Sequence, residues 1–176
     1  HTHLQFNAFE NDFNDLVFKL KQNNIYLINV GSNIENSIKS IELSKQYDFM
    51  YSSIGIHPVS VLPQESLYDK DESKEKIDET KQVVDNNFEK LIFNEKVIAV
   101  GECGLDYSYI EHLNLSEEEK ENLKQKQINI FKDQIKLAQK YNKTLILHIR
   151  DLYKEAIDIL KQENFTQKAI FHFFKG

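Results

Sequence analysis

Histidine and glutamate side chains occur along this chain at the ends of short apolar runs. The chain opens on His1-Thr2-His3, and later segments contain His57, Glu102, His148 and His172. Imidazole and carboxylate groups are common ligands of divalent metals. Repeated strand–helix units with polar ligands at the strand ends can build a metal site on the C-terminal face of a (β/α) barrel. The pattern predicts an α/β fold of the TIM-barrel type and a metal-dependent hydrolase.

The first two histidines are predicted to share a metal ion. His1 and His3 lie two residues apart, and on a strand this spacing places both imidazoles on the same face. A purification-tag remnant or a frayed terminus would give a similar pattern. Leu4 and the helix predicted after it instead fit the end of a genuine strand, so we predict that both histidines are metal ligands.

Glu102 directly follows the apolar run Val97–Gly101. A buried carboxylate without a partner is costly, so this side chain should cap a helix, pair with a base or bind a cation. A carboxylate can also bridge two ions with one oxygen each. Gly101 and Gly104 would allow close backbone approach, and Asp106 could orient a ligand histidine. A salt-bridged acid in a turn is the alternative.

Two later histidines also follow apolar strand segments. His148 ends the run Thr144–Leu147, and His172 lies between Phe171 and Phe173. Either one alone would be typical of a hydrogen-bonded core histidine. As members of an ordered series, both are predicted to be metal ligands.

Arg150 and His57 are the candidate substrate contacts. Arg150 is the only arginine in the chain, and a guanidinium matches phosphate geometry through two parallel hydrogen bonds. It could equally pair with Asp151 or Glu102. His57, followed by proline, should contact substrate or shape the rim of the site rather than bind metal.

Composition limits the alternatives. The 176 residues suit one domain spanning 1–176, shorter than the roughly 250 residues of a complete barrel. The net charge of −6 gives no long-range attraction for a polyanion, so a nucleic-acid substrate would need bound cations or a local basic patch. The single cysteine, Cys103, suits a reducing compartment and is not expected to be a nucleophile. His112 is expected on the surface.

No membrane span or signal-peptide pattern is apparent in the sequence, and a cytoplasmic location is expected.

Apolar runs predict six strands, and the segments between them, several with apolar residues at helical spacing, predict five helices. A highly charged insert near residues 64–90 should be a solvated loop followed by a helix from about 73 to 93. We expect the barrel to stop after its sixth strand, which would leave open sheet edges and favour self-association. The predicted strands are 1–4, 25–30, 49–56, 97–100, 144–147 and 169–171; the predicted helices are 8–23, 32–46, 73–93, 116–141 and 151–160.

Five segments together resemble the TatD-related metal-dependent deoxyribonucleases, a branch of the amidohydrolase-like barrels. The most specific is Gly101–Tyr107, with the sequence GECGLDY. The others are His1–Leu4, Gly55–Pro58, His148–Asp151 and Ile170–Gly176. The resemblance covers essentially the whole chain apart from the charged insert.

The resemblance implies that His1 and His3 hold one metal ion, that His148 and His172 hold a second, and that Glu102 bridges them. The ions would be Mg²⁺, Mn²⁺ or Zn²⁺, and the reaction would be hydrolysis of DNA phosphodiester bonds. The resemblance also implies a later acidic segment beyond residue 176. Two alternatives stay open: a barrel hydrolase acting on an ester, amide or lactone, and an inactive metal-binding fragment.

Overall fold

The computed structural model describes residues 1–63 and 78–175. Within them, five parallel strands form one open sheet in the order β1-β2-β3-β4-β5. The strands are β1 (Leu27–Val30), β2 (Met50–Ile54), β3 (Val97–Leu105), β4 (Thr144–Ile149) and β5 (Ala169–Phe171). The helices are α1 (Phe13–Gln22), α2 (Ile34–Ser44), α3 (Asn86–Lys90), α4 (Ser108–Glu111), α5 (Glu117–Lys140) and α6 (Tyr153–Gln162). Short 3₁₀ turns occupy Asn7–Phe9, Pro58–Val61 and Leu91–Phe93.

The sheet is parallel because successive strands are joined by long connections, most of which contain a helix. Strands in such a sheet are covered on both faces and are therefore apolar along most of their length. Eight of the nine residues of β3 are buried. The main core lies between the sheet and the helices, where Phe131, Ile135 and Ala138 of α5 are fully buried.

The predicted start of α5 is confirmed. The Ser116 hydroxyl accepts a hydrogen bond from the backbone N–H of Glu119, and the Glu119 carboxylate accepts one from the backbone N–H of Ser116. This reciprocal capping satisfies two donors that the first turn of a helix leaves unpaired. Asn33 likewise caps α2 by accepting from the backbone N–H of Asn36 at 2.7 Å.

The predicted first strand is shorter than expected. Thr2 forms a single parallel bridge with Asn29 of β1. Its N–H donates to the Ile28 carbonyl at 2.9 Å, and its carbonyl accepts from the Val30 N–H at 2.8 Å. The chain then turns, with the Phe6 N–H bonded to the carbonyl of His3. The described residues therefore contain five strands and one bridge rather than six strands.

Strands β3 and β4 extend further than predicted. Glu102 and His148 lie within these strands, not after them. The reason is the pair Gly101 and Gly104, whose φ angles are +142° and +145°. A Cβ atom at either glycine would collide with a carbonyl oxygen of β4, so only glycine lets the two strands stay paired through the register shift after Val100.

The helix predicted over 73–93 is also shorter. Residues 64–77, which carry most of the charged insert, lie outside the described residues. The helix α3 begins only after Asp85, whose carboxylate accepts from the backbone N–H groups of Asn87 and Phe88. Residues 78–85 are not helical, because the capping residue Asp85 sets where α3 begins. The helix predicted from residue 8 likewise begins at Phe13, after a 3₁₀ turn.

Among the described helices, none is long and apolar enough to cross a membrane.

Candidate metal centre

Imidazoles from four parts of the chain surround one carboxylate at the C-terminal edge of the sheet. Parallel strands bring their carboxyl ends to the same edge, where the following loops can add further ligands. The bridge of Thr2 to β1 places the first two histidines at this edge. The other side chains of the cluster come from the C-terminal ends of β2 to β5. The converging side chains are His1, His3, His57, Glu102, His148 and His172.

The Glu102 carboxylate is the centre of this cluster and is only 4% exposed. Its Oε2 lies 3.4 Å from His1 Nε2 and 4.0 Å from His3 Nε2. Its Oε1 lies 3.2 Å from His148 Nδ1. The two oxygens of one carboxylate therefore face different imidazoles.

Glu102 is ionised despite its burial. Burial by itself raises the pKa of a carboxyl group, because the charged form loses its hydration. Here the hydrogen bond with His148 and the neighbouring imidazoles of His57 and His172 outweigh that effect and hold the pKa of Glu102 well below its usual range. The site thus has a fixed negative charge at its centre.

His3 presents an unprotonated nitrogen at this edge. Its Nδ1 lies 2.9 Å from the carbonyl oxygen of Val30. Because a carbonyl can only accept, Nδ1 carries the hydrogen, and in the neutral ring the lone pair is on Nε2. Burial lowers the pKa of His3 and favours this neutral form, although Glu102 and the Val30 hydrogen bond oppose the shift. His1 Nε2 lies 3.1 Å from the same His3 Nε2 atom.

His148 lies between two carboxylates. Its Nδ1 contacts Glu102, and its Nε2 lies 3.1 Å from Asp106 Oδ2. Burial lowers the pKa of an imidazole, but hydrogen bonds to Asp106 and Glu102 overcome this and raise the pKa of His148 to about 9. Asp106 is held in turn by the hydroxyl and the backbone N–H of Ser108, at 2.5 and 3.0 Å.

His172 lies beside His1, with the rings stacked at 3.8 Å between centroids and 18° between planes. Donor atoms of His1, Glu102 and His172 lie within 4.8 Å of one another. The resemblance instead pairs His172 with His148. His172 directly follows β5, and its N–H donates to the carbonyl of Leu147 in β4 at 2.9 Å.

A second close group contains His57, Glu102 and His148, again with donor atoms within 4.8 Å. The Nδ1 of His57 accepts a hydrogen bond from the Val59 N–H at 3.2 Å. A backbone N–H can only donate, so neutral His57 carries its hydrogen on Nε2. Burial and the neighbouring His148 lower the pKa of His57 to about 3. In this state His57 is a hydrogen-bond donor rather than a metal ligand.

Arg150 lies at the same edge with its side chain 55% exposed. Its Nη1 is 4.0 Å from Asp106 Oδ2, a separation too long for a hydrogen bond. The guanidinium therefore keeps most of its donors available to a ligand. Cys103 is fully buried, and burial raises the pKa of its thiol, which disfavours the nucleophilic thiolate. His112 is exposed on the surface.

The donor set fits a divalent metal. Imidazole nitrogens and a carboxylate oxygen are ligands that Zn²⁺, Mn²⁺ and related ions accept. Neutral His3 with an unprotonated Nε2 has the protonation state that a ligand needs. Sequence reasoning missed that His57 belongs to the cluster as a close neighbour of His148. Its place at the end of β2, in the same series as the other histidines, was the available signal.

The described residues form an α/β fold with a parallel sheet and a His/Glu cluster at its C-terminal edge. The family model described as TatD related DNase matches residues 1–176, and the chain belongs to this family.

Similar curated proteins include an uncharacterized metal-dependent hydrolase, YabD, of Bacillus subtilis and the deoxyribonuclease TATDN3 of Homo sapiens. Each is 29% identical over 178 residues, covering 100% of this chain and 60% of the relative. The chain therefore spans about 60% of the length of these relatives.

Solved structures show the same fold. The TatD homolog YJJV of Escherichia coli K12 superposes with a TM-score of 0.71 at 21% identity, covering 100% of this chain and 59% of that chain. A TatD family hydrolase of Entamoeba histolytica gives a TM-score of 0.69 at 22% identity, covering 99% and 57%. The predicted α/β fold class is confirmed by these matches, and the described sheet corresponds to part of a TatD-type architecture.

Proposed function

We propose that this chain carries the metal centre of a hydrolase that cleaves phosphodiester bonds of DNA. Membership of the TatD related DNase family and the deoxyribonuclease name of the human relative support the substrate. The observation that carries the proposal is the placement of Glu102, whose two oxygens face His1 and His148 respectively. A carboxylate in this position is suited to bridging two ions.

The proposed ligands are the five side chains that the sequence predicted. His1 and His3 lie on the side of Glu102 Oε2, and His148 lies on the side of Oε1. His172 joins the group around His1, because it stacks on that ring. Both ions would be divalent, with Mg²⁺, Mn²⁺ and Zn²⁺ as the candidates. A pair of such ions supplies Lewis acidity for the phosphate and lowers the pKa of bound water.

The remaining residues bind and orient the substrate. The exposed guanidinium of Arg150 can donate two parallel hydrogen bonds to non-bridging phosphate oxygens. The Nε2–H of His57 would donate to another oxygen of the same phosphate. The negative charges of Glu102 and Asp106 would disfavour a phosphodiester at this edge without bound cations.

The test is cleavage of an end-labelled oligonucleotide by the purified chain. EDTA should abolish cleavage, and Mg²⁺, Mn²⁺ or Zn²⁺ should restore it. The Glu102→Ala variant should lose most turnover while its circular dichroism stays native. Unchanged cleavage by that variant would contradict the assignment.

Two controls separate the alternatives. An ester, amide or lactone hydrolase would have no need for Arg150, so Arg150→Ala should weaken DNA cleavage without affecting hydrolysis of a small uncharged ester. Metal binding by the chain without cleavage would restrict the proposal to a metal-binding role.

A further inference from the structure

Two buried glutamines interrupt the apolar inner face of α5. Gln127 and Gln134 are 1% and 0% exposed, and they lie seven residues apart, two turns along the same face as Phe131. A buried amide is costly unless its oxygen and nitrogen both find partners. Both glutamines satisfy this requirement with backbone groups of the loops that carry site residues.

Gln134 holds the segment that precedes His57. Its Oε1 accepts from the N–H of Ile56 at 2.8 Å, and its Nε2 donates to the carbonyl of Ile56 at 3.0 Å. Pairing between β2 and β3 ends at Ile54, yet Ile56 is still buried. One side-chain amide therefore supplies the two hydrogen bonds that a neighbouring strand would otherwise provide.

Gln127 joins two loops of the site. Its Oε1 accepts from the N–H of Asp106 at 3.0 Å, and its Nε2 donates to the carbonyl of Asp106 at 2.9 Å. The same Nε2 donates to the carbonyl of Pro58, the residue after His57, at 3.1 Å. Asp106 is the first residue beyond β3, and its carboxylate contacts His148 Nε2.

We infer that Gln127 and Gln134 are positioning residues of the centre. Gln127 fixes the backbone of Asp106, so that the carboxylate orients the His148 ring, and Gln134 fixes the approach of His57. The expected effect on metal binding rests on the proposed function. The orientation itself is a property of the metal-free chain. Partners behind a metal-binding histidine fix its tautomer and ring orientation, and these amides act one step further out.

The test compares Gln127→Met with a matched control, Gln82→Met. Gln82 is also fully buried and also makes three hydrogen bonds, but to Ile34 and Glu35 in the first turn of α2 and to Asp78. Both substitutions replace a buried amide by an apolar side chain of similar size. Three quantities are measured for each variant: side-chain ¹⁵N resonances of the histidines in EDTA, the affinity for Mn²⁺, and unfolding by urea.

Gln127→Met should shift the His148 ring resonances and weaken Mn²⁺ binding, by less than the roughly 10–100-fold typical of losing a direct partner of a ligand. Gln134→Met should shift the His57 resonances instead. Gln82→Met should lose stability in urea while leaving both the resonances and the affinity unchanged.

Unchanged His148 resonances in Gln127→Met, or equal shifts in Gln82→Met, would overturn the inference. If the wild-type chain does not bind Mn²⁺, the proposed function fails, and the resonances still decide whether Gln127 orients His148. If Gln127→Met does not fold, Gln127→Glu replaces it. That variant keeps an acceptor for the Asp106 N–H and donates at most one hydrogen bond, so Gln127→Asn, whose amide is one methylene shorter, is compared with it; a His148 shift in both variants is expected.

Discussion

The two sides of the Glu102 carboxylate differ in what lies behind the imidazoles. On one side, His3 Nδ1 is bonded to the neutral carbonyl of Val30. On the other, His148 Nε2 is bonded to the charged carboxylate of Asp106. Both histidines are largely buried and both face Glu102, yet the pKa of His3 is lowered and that of His148 is raised.

The two histidines differ on both of their nitrogens. His148 is hydrogen-bonded to Asp106 and to Glu102, whereas His3 has a carbonyl behind it and lies 4.0 Å from Glu102 without a hydrogen bond to it. Burial lowers the pKa of both rings, but only His148 has a second carboxylate to offset the loss of hydration. In the metal-free chain near neutral pH, His3 has an unprotonated Nε2, whereas His148 holds a proton between two acids. A metal must displace that proton to bind His148.

The largest expected effect comes from the residue that the two sides share. Glu102→Gln keeps the shape of the side chain but removes its charge, so the imidazoles on both sides lose their common counter-charge. We expect Mn²⁺ affinity to fall by more than the roughly 10–100-fold that loss of an outer partner costs. Isothermal titration calorimetry measures it. Retention of one tight site would show that the two sides do not depend on a common bridge.

A smaller effect should separate the sides. Asp106→Asn removes the charge behind His148 and leaves the Val30 carbonyl behind His3 untouched. Metal binding on the His148 side should weaken by roughly 10–100-fold, and the NMR-measured pKa of His148 should fall. The pKa of His3 should stay the same. Asp158→Asn, a change at an acid that pairs with Lys154 on α6, is the control; a similar fall there would contradict the assignment.

Removal of the Arg150 guanidinium should weaken substrate binding and leave metal binding unchanged. Arg150→Ala removes a partly exposed guanidinium that could bind phosphate, and the KM for an oligonucleotide should rise by roughly tenfold, the value of one modest charge-assisted hydrogen bond. Mn²⁺ affinity should not change. Lys154→Ala, which removes an exposed cation on α6, is the matched control. An unchanged KM in Arg150→Ala would remove this residue from the substrate site.

The smallest effect is on the unfolding free energy of the metal-free chain. The pKa shifts of His148 and His57 should change it with pH in opposite directions. The raised pKa of His148 stabilises the fold fully below its unfolded value of about 6.5, and this contribution is lost as pH rises through about 9. The lowered pKa of His57 makes the fold less stable as pH falls from about 6.5 towards 3.

Urea unfolding in EDTA measures both slopes. Between pH 6.5 and 9 we expect a decline in unfolding free energy on the order of 1 kcal/mol, which Asp106→Asn should reduce. An equal decline in the wild type and in Asp106→Asn would show that His148 does not carry it.

Sequence patterns predicted elements well where the signal was local. The strand Ala169–Phe171 has the predicted bounds, and the capping pair Ser116 and Glu119 marks the start of α5 as expected. The predictions were wrong about the ends of β3 and β4, because close packing at Gly101 and Gly104 keeps these strands paired. Such pairing depends on a neighbouring strand more than forty residues away.

The sequence by itself determined the inventory of the site: which imidazoles and which carboxylate exist, and that strand ends would bring them to one edge. Only the tertiary structure decided which oxygen of Glu102 faces which ring, and that His172 lies against His1. It also decided the tautomers, because the Val30 carbonyl that fixes His3 lies 27 residues away along the chain. Ligand types follow from local composition, whereas protonation and pairing follow from groups that only folding brings together.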